Sequence, residues 1–559
     1  MRRIQHYLLP ILVVLAVCGV VGWAALGPLM SPGVGKSAIA RLDSQIASDL
    51  ESTTVKVDRI FQDRWEKANI PPAAQADELK VLRRLTLALT GTVPSLQEIR
   101  EFEADKSPER LRKWTEKLLA DRRFAEYFGK RLAVAFAGDF EQKVPLFRHS
   151  RLEEWLAEQL AAGQPYDAMV RQMISATGTP TTNGAGNFVT AEVAQGEQYA
   201  NRLAARSARA FLGQRMDCAE CHDHPFDDWK QADFEGIAAH FAQIRTGALG
   251  IEDSPHRQHE VEDRKTLEKR IVQPRVPFHE EWLAGAGSRR EQLAEWIVHR
   301  ENRRFWRAIS NRVWGLMFGR PFVAPVDSIP DPMENIAANG QGSNRETEET
   351  ELLDVLAADL LEHGGDLRRL VLVIASSRPF QLSSSHPLLE TGTAADYERL
   401  TTSWAVFPLV QLRPEQLAAS LNQAATLRPL EAKADINTLI RRELWMRRFL
   451  TEYGTLGQDE LSERTDSIPQ TMHRMHSRFT RDNSRVGWTN ASGRIAMLAQ
   501  SDTACLESCY LVCLARRPTE VERDYFLPQL QTSRSSNRSR VIEDIFWTLF
   551  NSPEFGWDH

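Results

Sequence analysis

The sequence predicts a mainly α-helical protein, with two helical domains behind an N-terminal transmembrane helix. Three observations carry that expectation. Apolar residues recur at three- and four-residue spacing through most of the chain, often just after helix-capping residues. Residues 7–30 form one uncharged, apolar stretch. No series of alternating segments marks a β-sandwich or a doubly wound sheet.

The N-terminal stretch comes first. Arg2 and Arg3 precede the uncharged run from Tyr7 to Met30, which is long enough for the about 20 residues a helix needs to cross a hydrocarbon core. Positive charge on its N-terminal side sets the expected placement: a single pass in the inner membrane, amino terminus cytoplasmic and body in the periplasm. A cleaved signal ending near Ala25-Leu26-Gly27 and a lipid anchor at Cys18 are competing readings of the same residues. All three export the body.

Beyond it, residues 31–56 read as a polar stalk and residues 57–245 as the first helical domain. Leu79, Leu82, Leu85 and Leu89 form one helical stripe that Gly91 ends. Ser95 and Glu98 make a capping box for the next helix. Ser107-Pro108 opens another with Leu111, Trp114 and Leu118, and Leu152, Trp155, Leu156 and Leu160 mark a fourth. Residues 175–195, rich in Ser, Thr, Gly and Asn, read as a loop, and a helix over 197–212 follows. Residues 246–287 mix Pro, Gly and charge without an apolar period and read as a linker. The second helical domain, 288–559, opens on Leu293, Trp296 and Ile297 and ends near Phe546, Leu549 and Phe550.

A chain of 559 residues exceeds one core. Its net charge of −6 argues against a nucleic-acid partner, because neutralising phosphates takes a basic face. Six cysteines are too few for a disulfide framework in a chain this long. No GxSxG, HExxH, P-loop or dinucleotide glycine pattern occurs, so hydrolase and nucleotide chemistry have no site and enzymatic activity is left undecided.

The chemistry concentrates in Cys218-Ala219-Glu220-Cys221-His222. With six Cys and 14 His in 559 residues, such a Cys-x-x-Cys-His run is expected by chance about 0.002 times. The pattern is that of covalent haem c: two thiols reach the two vinyl groups on one porphyrin edge, and the adjoining His222 is the axial iron ligand. Two alternatives stay open: a zinc site of Cys218, Cys221, His222 and His224, and a Cys218–Cys221 disulfide or inert pair. Asp223, His224, Asp227 and Asp228 crowd the motif, either tuning the imidazole or forming the turn into the next helix. Candidate sixth ligands are Met317, His240 and the Met472-His473, Met475-His476 cluster. Cys505, Cys509 and Cys513 share one helical stripe and read as buried packing, as do the tryptophans.

The extended run CAECHDHPFDDW, Cys218 to Trp229, resembles the signature of the planctomycete cytochrome-type family, domain of unknown function 1549. The resemblance includes Leu82-Arg83-Arg84-Leu85-Thr86-Leu87-Ala88-Leu89-Thr90-Gly91, Pro165-Tyr166-Asp167 and Phe211-Leu212-Gly213. The second half is similar to domain of unknown function 1553. Its matching stretches are Asn311-Arg312-Val313-Trp314, Phe318-Gly319-Arg320, Ser377 to Ser384, Arg517-Pro518-Thr519 and Asn551 to Phe555. The resemblance implies a cytochrome-type protein. The expectation is an exported, membrane-anchored haem c carrier that exchanges electrons with a redox partner protein. The alternative is a binding or scaffold protein whose CxxCHDH segment holds a structural metal or disulfide.

Overall fold

The structure is a computed structural model. It describes residues 44–138, 148–225, 228–247, 250–262, 267–330, 344–430, 444, 446, 448–453, 461, 467–533 and 535–559. Helices dominate these residues, and many begin where the sequence places them. Asp77 accepts from the Leu79 amide at 2.9 Å and starts the Glu78–Thr90 helix, which Gly91 closes in the left-handed conformation. The Ser95–Glu98 capping box opens Leu96–Ala104, and Ser288 with Glu291 opens Arg289–Ile297. The Arg110–Ala120 helix buries Trp114 and Leu118, and Arg148–Ala162 buries Leu152, Leu156 and Leu160. In each, the apolar stripe faces other helices.

The expected transmembrane helix, and the single-pass inner-membrane placement built on it, are corrected. No helix among the described residues is long and apolar enough to cross a membrane. The 25-residue helix Ser44–Ala68 has the length but carries Asp49, Glu51, Lys56, Asp58 and Arg59 within it. The apolar helix Leu367–Ser376 has only 10 residues, about 15 Å at 1.5 Å per residue, against a hydrocarbon core of about 30 Å. The Tyr7–Met30 stretch, on which the expectation rests, lies outside the described residues. The second half of the expected stalk belongs to the Ser44–Ala68 helix.

Two other segments differ from their sequence reading. Within the expected loop 175–195, Asn187–Val193 is helical, because Phe188, Val189 and Ala191 are buried against neighbouring helices and packing overrides the local composition. The expected linker 246–287 contains strands of two antiparallel hairpins: Ile244–Gly247 with Gly250–Asp253, and His259–Glu262 with Lys269–Val272. Three of these four-residue strands are largely exposed, only Gly250–Asp253 burying its first two residues, and none has an apolar period to read. A third pair joins Val410–Gln411 to Trp557–Asp558 at the C-terminus.

The main hydrophobic core gathers residues from Leu50 to Ala515 and so draws on both sides of residues 246–287. A second cluster gathers the C-terminal helices, including Cys505, Cys509 and Cys513, and takes in Leu87 and Val93 from the N-terminal half. Trp65, Trp296 and Trp314 are fully buried, which fits their reading as core residues.

The two halves are also tied by arginines that a helical stripe would place in solvent. Arg83 and Arg84 are completely buried. Arg83 donates to the carbonyls of Cys513 and Phe555, both at 3.1 Å. Arg84 donates to Phe380 O at 2.9 Å, Leu382 O at 2.7 Å and His559 O at 2.9 Å. Its guanidinium also lies 3.7 Å from the Phe407 ring centre. Burying a guanidinium is costly unless its donors find acceptors, and here the C-terminal half supplies them for Arg84 and for both terminal nitrogens of Arg83.

Candidate functional site

The helix Tyr199–Ser207 runs into a π-helical turn, Ala208–Leu212, that delivers the chain to the cysteines. Gly213 ends it at φ +64°, and a Cβ there would lie 2.8 Å from Ile329 Cδ1, so both the backbone and the close approach require glycine. The turn is fastened from the second half: Arg312 donates to Ala210 O at 2.7 Å, Ile329 N–H to Gly213 O at 2.9 Å, and Gln214 Nε2 to Ile329 O at 2.6 Å.

A short 3₁₀ turn, Asp217–Glu220, then carries the motif. Met216 and Ala219 are fully buried, while Cys218, Cys221 and His222 are exposed. The alternation follows from the tight turn: its inner side is pinned into the core, which leaves the reactive side chains outside. Cys221 N–H points back to Cys218 O at 3.4 Å, so the two thiols sit one turn apart, and neither is in a disulfide. His222 Nδ1 lies 2.7 Å from the Asp223 carbonyl oxygen. A proton on Nδ1 satisfies that contact and leaves Nε2 as the lone-pair nitrogen.

Beyond the motif, the His224 amide donates to Trp229 O at 2.8 Å and closes the loop. Trp229 is buried, with the Arg304 guanidinium 5.0 Å from its ring centre. Asp223 Oδ1 accepts from the Gln231 amide at 3.0 Å, at the start of helix Gln231–Phe241. That hydrogen bond, with Lys230 nearby, holds the Asp223 carboxyl below its ordinary range. Asp223 therefore fixes the turn through its side chain and braces His222 through its carbonyl. Asp227 lies outside the described residues.

The donor set fits covalent haem: two exposed thiols one turn apart and not joined in a disulfide, followed by an imidazole with Nδ1 engaged by the Asp223 carbonyl. It fits a closed zinc site less well. Among the described residues, no three ligand atoms from Cys218, Cys221, His222 and His224 come within 4.8 Å of one another. Of the candidate sixth ligands, Met317 is buried in the main core and His240 is buried with Nδ1 3.0 Å from Gly236 O. Met472, His473, Met475 and His476 belong to the helix Ile468–His476, where His473 packs on Phe449 of the second cluster. Cys505, Cys509 and Cys513 are completely buried, and burial pushes the Cys513 thiol well above its ordinary range.

One cluster had no sequence signal. Asp49, Asp359 and His363 bring three ligand atoms within 4.8 Å, from positions more than 300 residues apart. Arg369 Nη2 stands between the carboxylates, 2.7 Å from Asp49 and 2.8 Å from Asp359, and Thr53 donates to Asp359 at 2.7 Å. With the guanidinium already paired to both carboxylates, these groups read as an ion-pair network joining helix Ser44–Ala68 to Asn344–Glu362 and Leu367–Ser376.

Residues 56–246 match the family model PSCyt2, a protein of unknown function (DUF1549). Residues 289–433 match PSD1, a protein of unknown function (DUF1553). No curated protein and no solved structure matches the chain. The CxxCH turn lies inside the first matched segment, and the Asn311-Arg312-Val313-Trp314 helix that braces it lies inside the second. The chain therefore belongs to the family in which DUF1549 is followed by DUF1553.

Proposed function

We propose that this chain is a c-type cytochrome-like redox protein whose electron-carrying group is a haem c bound at the CxxCH turn. Cys218 and Cys221 would hold it through two thioethers, each formed by adding a thiol S–H across a porphyrin vinyl group. His222 Nε2 would be the axial ligand. The haem supplies the one-electron exchange between its ferric and ferrous states.

The observation that carries this reading is the pairing of two exposed, non-disulfide thiols with an imidazole whose other nitrogen is engaged by the Asp223 carbonyl. Metal-ligating histidines need such a partner to fix tautomer and ring orientation. The buried Met216 and Ala219 hold the turn rigid beneath them, and Asp223 anchors it to the following helix. Electrons would pass between this surface site and a redox partner protein.

The test is spectroscopic. Produced in a host that matures haem c, the chain should show a Soret band that survives denaturation and organic extraction. Cys218→Ala should weaken the covalent link, and Cys218→Ala with Cys221→Ala should abolish it. A folded preparation without the band, or a double variant that keeps it, ends the proposal.

A further inference from the structure

The helix Glu78–Thr90, the helix Arg303–Phe318 and the C-terminal strand Trp557–Asp558 converge on a small cavity that the haem reading leaves unused. Its volume is about 30 Å³. The walls include Ala88 and Tyr127 from the first matched segment, Gly319, Gln411 and Arg413 from the second, and Asp558 from the C-terminus. Gly319 is positioned for this: at φ +75° it ends its helix, and a Cβ there would lie 2.6 Å from Val410 Cγ1.

Three of the lining residues carry a buried polar atom with no hydrogen-bond partner among the described residues: Asp558 Oδ1, Gln411 Oε1 and Arg413 Nη1. Asp558 itself is only 9% exposed. Buried polar atoms find partners in native proteins, so three on the residues around one cavity call for an occupant that hydrogen-bonds them. An apolar occupant leaves all three unsatisfied. A metal cation meets the Arg413 guanidinium, and an anion meets the two acceptors. The volume excludes anything much larger than a water pair, since one water takes about 10–15 Å³ by the same measure. Water both donates and accepts, and buried water makes two to four hydrogen bonds.

We propose that this cavity is a structural-water site. One or two waters donate to Asp558 Oδ1 and Gln411 Oε1 and accept from Arg413 Nη1. They complete the joint at which the C-terminal strand, hydrogen-bonded to Val410–Gln411, is sealed against both family segments. The site is independent of the CxxCH turn and stands whether or not haem is bound.

Two measurements on the full chain decide it. A high-resolution crystal structure should show water density at about 2.8 Å from Asp558 Oδ1 and Gln411 Oε1. An empty cavity, or density for a larger molecule, overturns the assignment. Gln411→Met keeps side-chain size and removes the acceptor. If water is bound, the variant strands it and Tm falls by about 1–3 °C. If the cavity is dry, the substitution removes an unpaired buried acceptor, and Tm stays level or rises. That result also overturns the proposal.

Discussion

Replacing His240 with leucine is expected to remove a loss of stability that the chain otherwise suffers in mild acid. His240 sits in helix Gln231–Phe241 with 1% of its surface exposed and Nδ1 against the Gly236 carbonyl. Burial lowers its pKa from 6.5 to about 4, and the nearby Arg289 charge adds to the effect. On acidification the unfolded chain takes up this proton first, near pH 6.5, while the folded chain refuses it until about pH 4. His240 is therefore cost-free above pH 6.5, and stability drains away as pH falls from 6.5 towards 4. Over the whole window the loss is about 3 kcal/mol, and by pH 4.5 about 2.5 kcal/mol of it has appeared. The assay is urea unfolding of the native chain and His240→Leu at pH 7 and pH 4.5. Every carboxylate is common to both, so the difference between their acid losses isolates the imidazole. The variant should lose about 2.5 kcal/mol less than the native chain. Equal losses would refute the claim that a neutral histidine is held in this helix.

Arg84→Met should be among the most damaging substitutions, because it strands the Phe380, Leu382 and His559 carbonyls and removes a positive charge beside the buried Asp558. The expected cost is about 3–5 kcal/mol by denaturant unfolding, and a loss below about 1 kcal/mol would show that the clasp is not formed. Gly213→Ala should cost about 1–3 kcal/mol, from its left-handed backbone and the Ile329 contact together; a neutral thermal shift would contradict the turn. Brief treatment of the haem-free, reduced native chain with a maleimide, followed by peptide mapping, should modify Cys218 and Cys221 and spare Cys505, Cys509 and Cys513. Equal labelling of all five would contradict the burial pattern.

Helix boundaries were largely legible because caps are local. Ser95 and Glu98 satisfy each other's amides within three residues, so a short window contains both partners. The CxxCH turn was legible for the same reason. What could not be read is the part that depends on distant chain. Arg83 and Arg84 look like the solvent face of an amphipathic helix until acceptors up to 475 residues away cover them. The hairpins of 246–272 lack an apolar period because most of their residues stay in solvent.

By itself, then, the sequence determined many of the helical segments, where the thiols and imidazole stand together, and which family pattern surrounds them. All of these rest on spacing within a few residues. The tertiary structure alone decided that Met216 and Ala219 turn inward while Cys218, Cys221 and His222 turn outward. It also decided that Asp223 serves the turn, that one core crosses the expected linker, and that the C-terminus closes on Arg84. Those outcomes depend on which distant surfaces bury one another, and a one-dimensional pattern of residues carries no record of that choice.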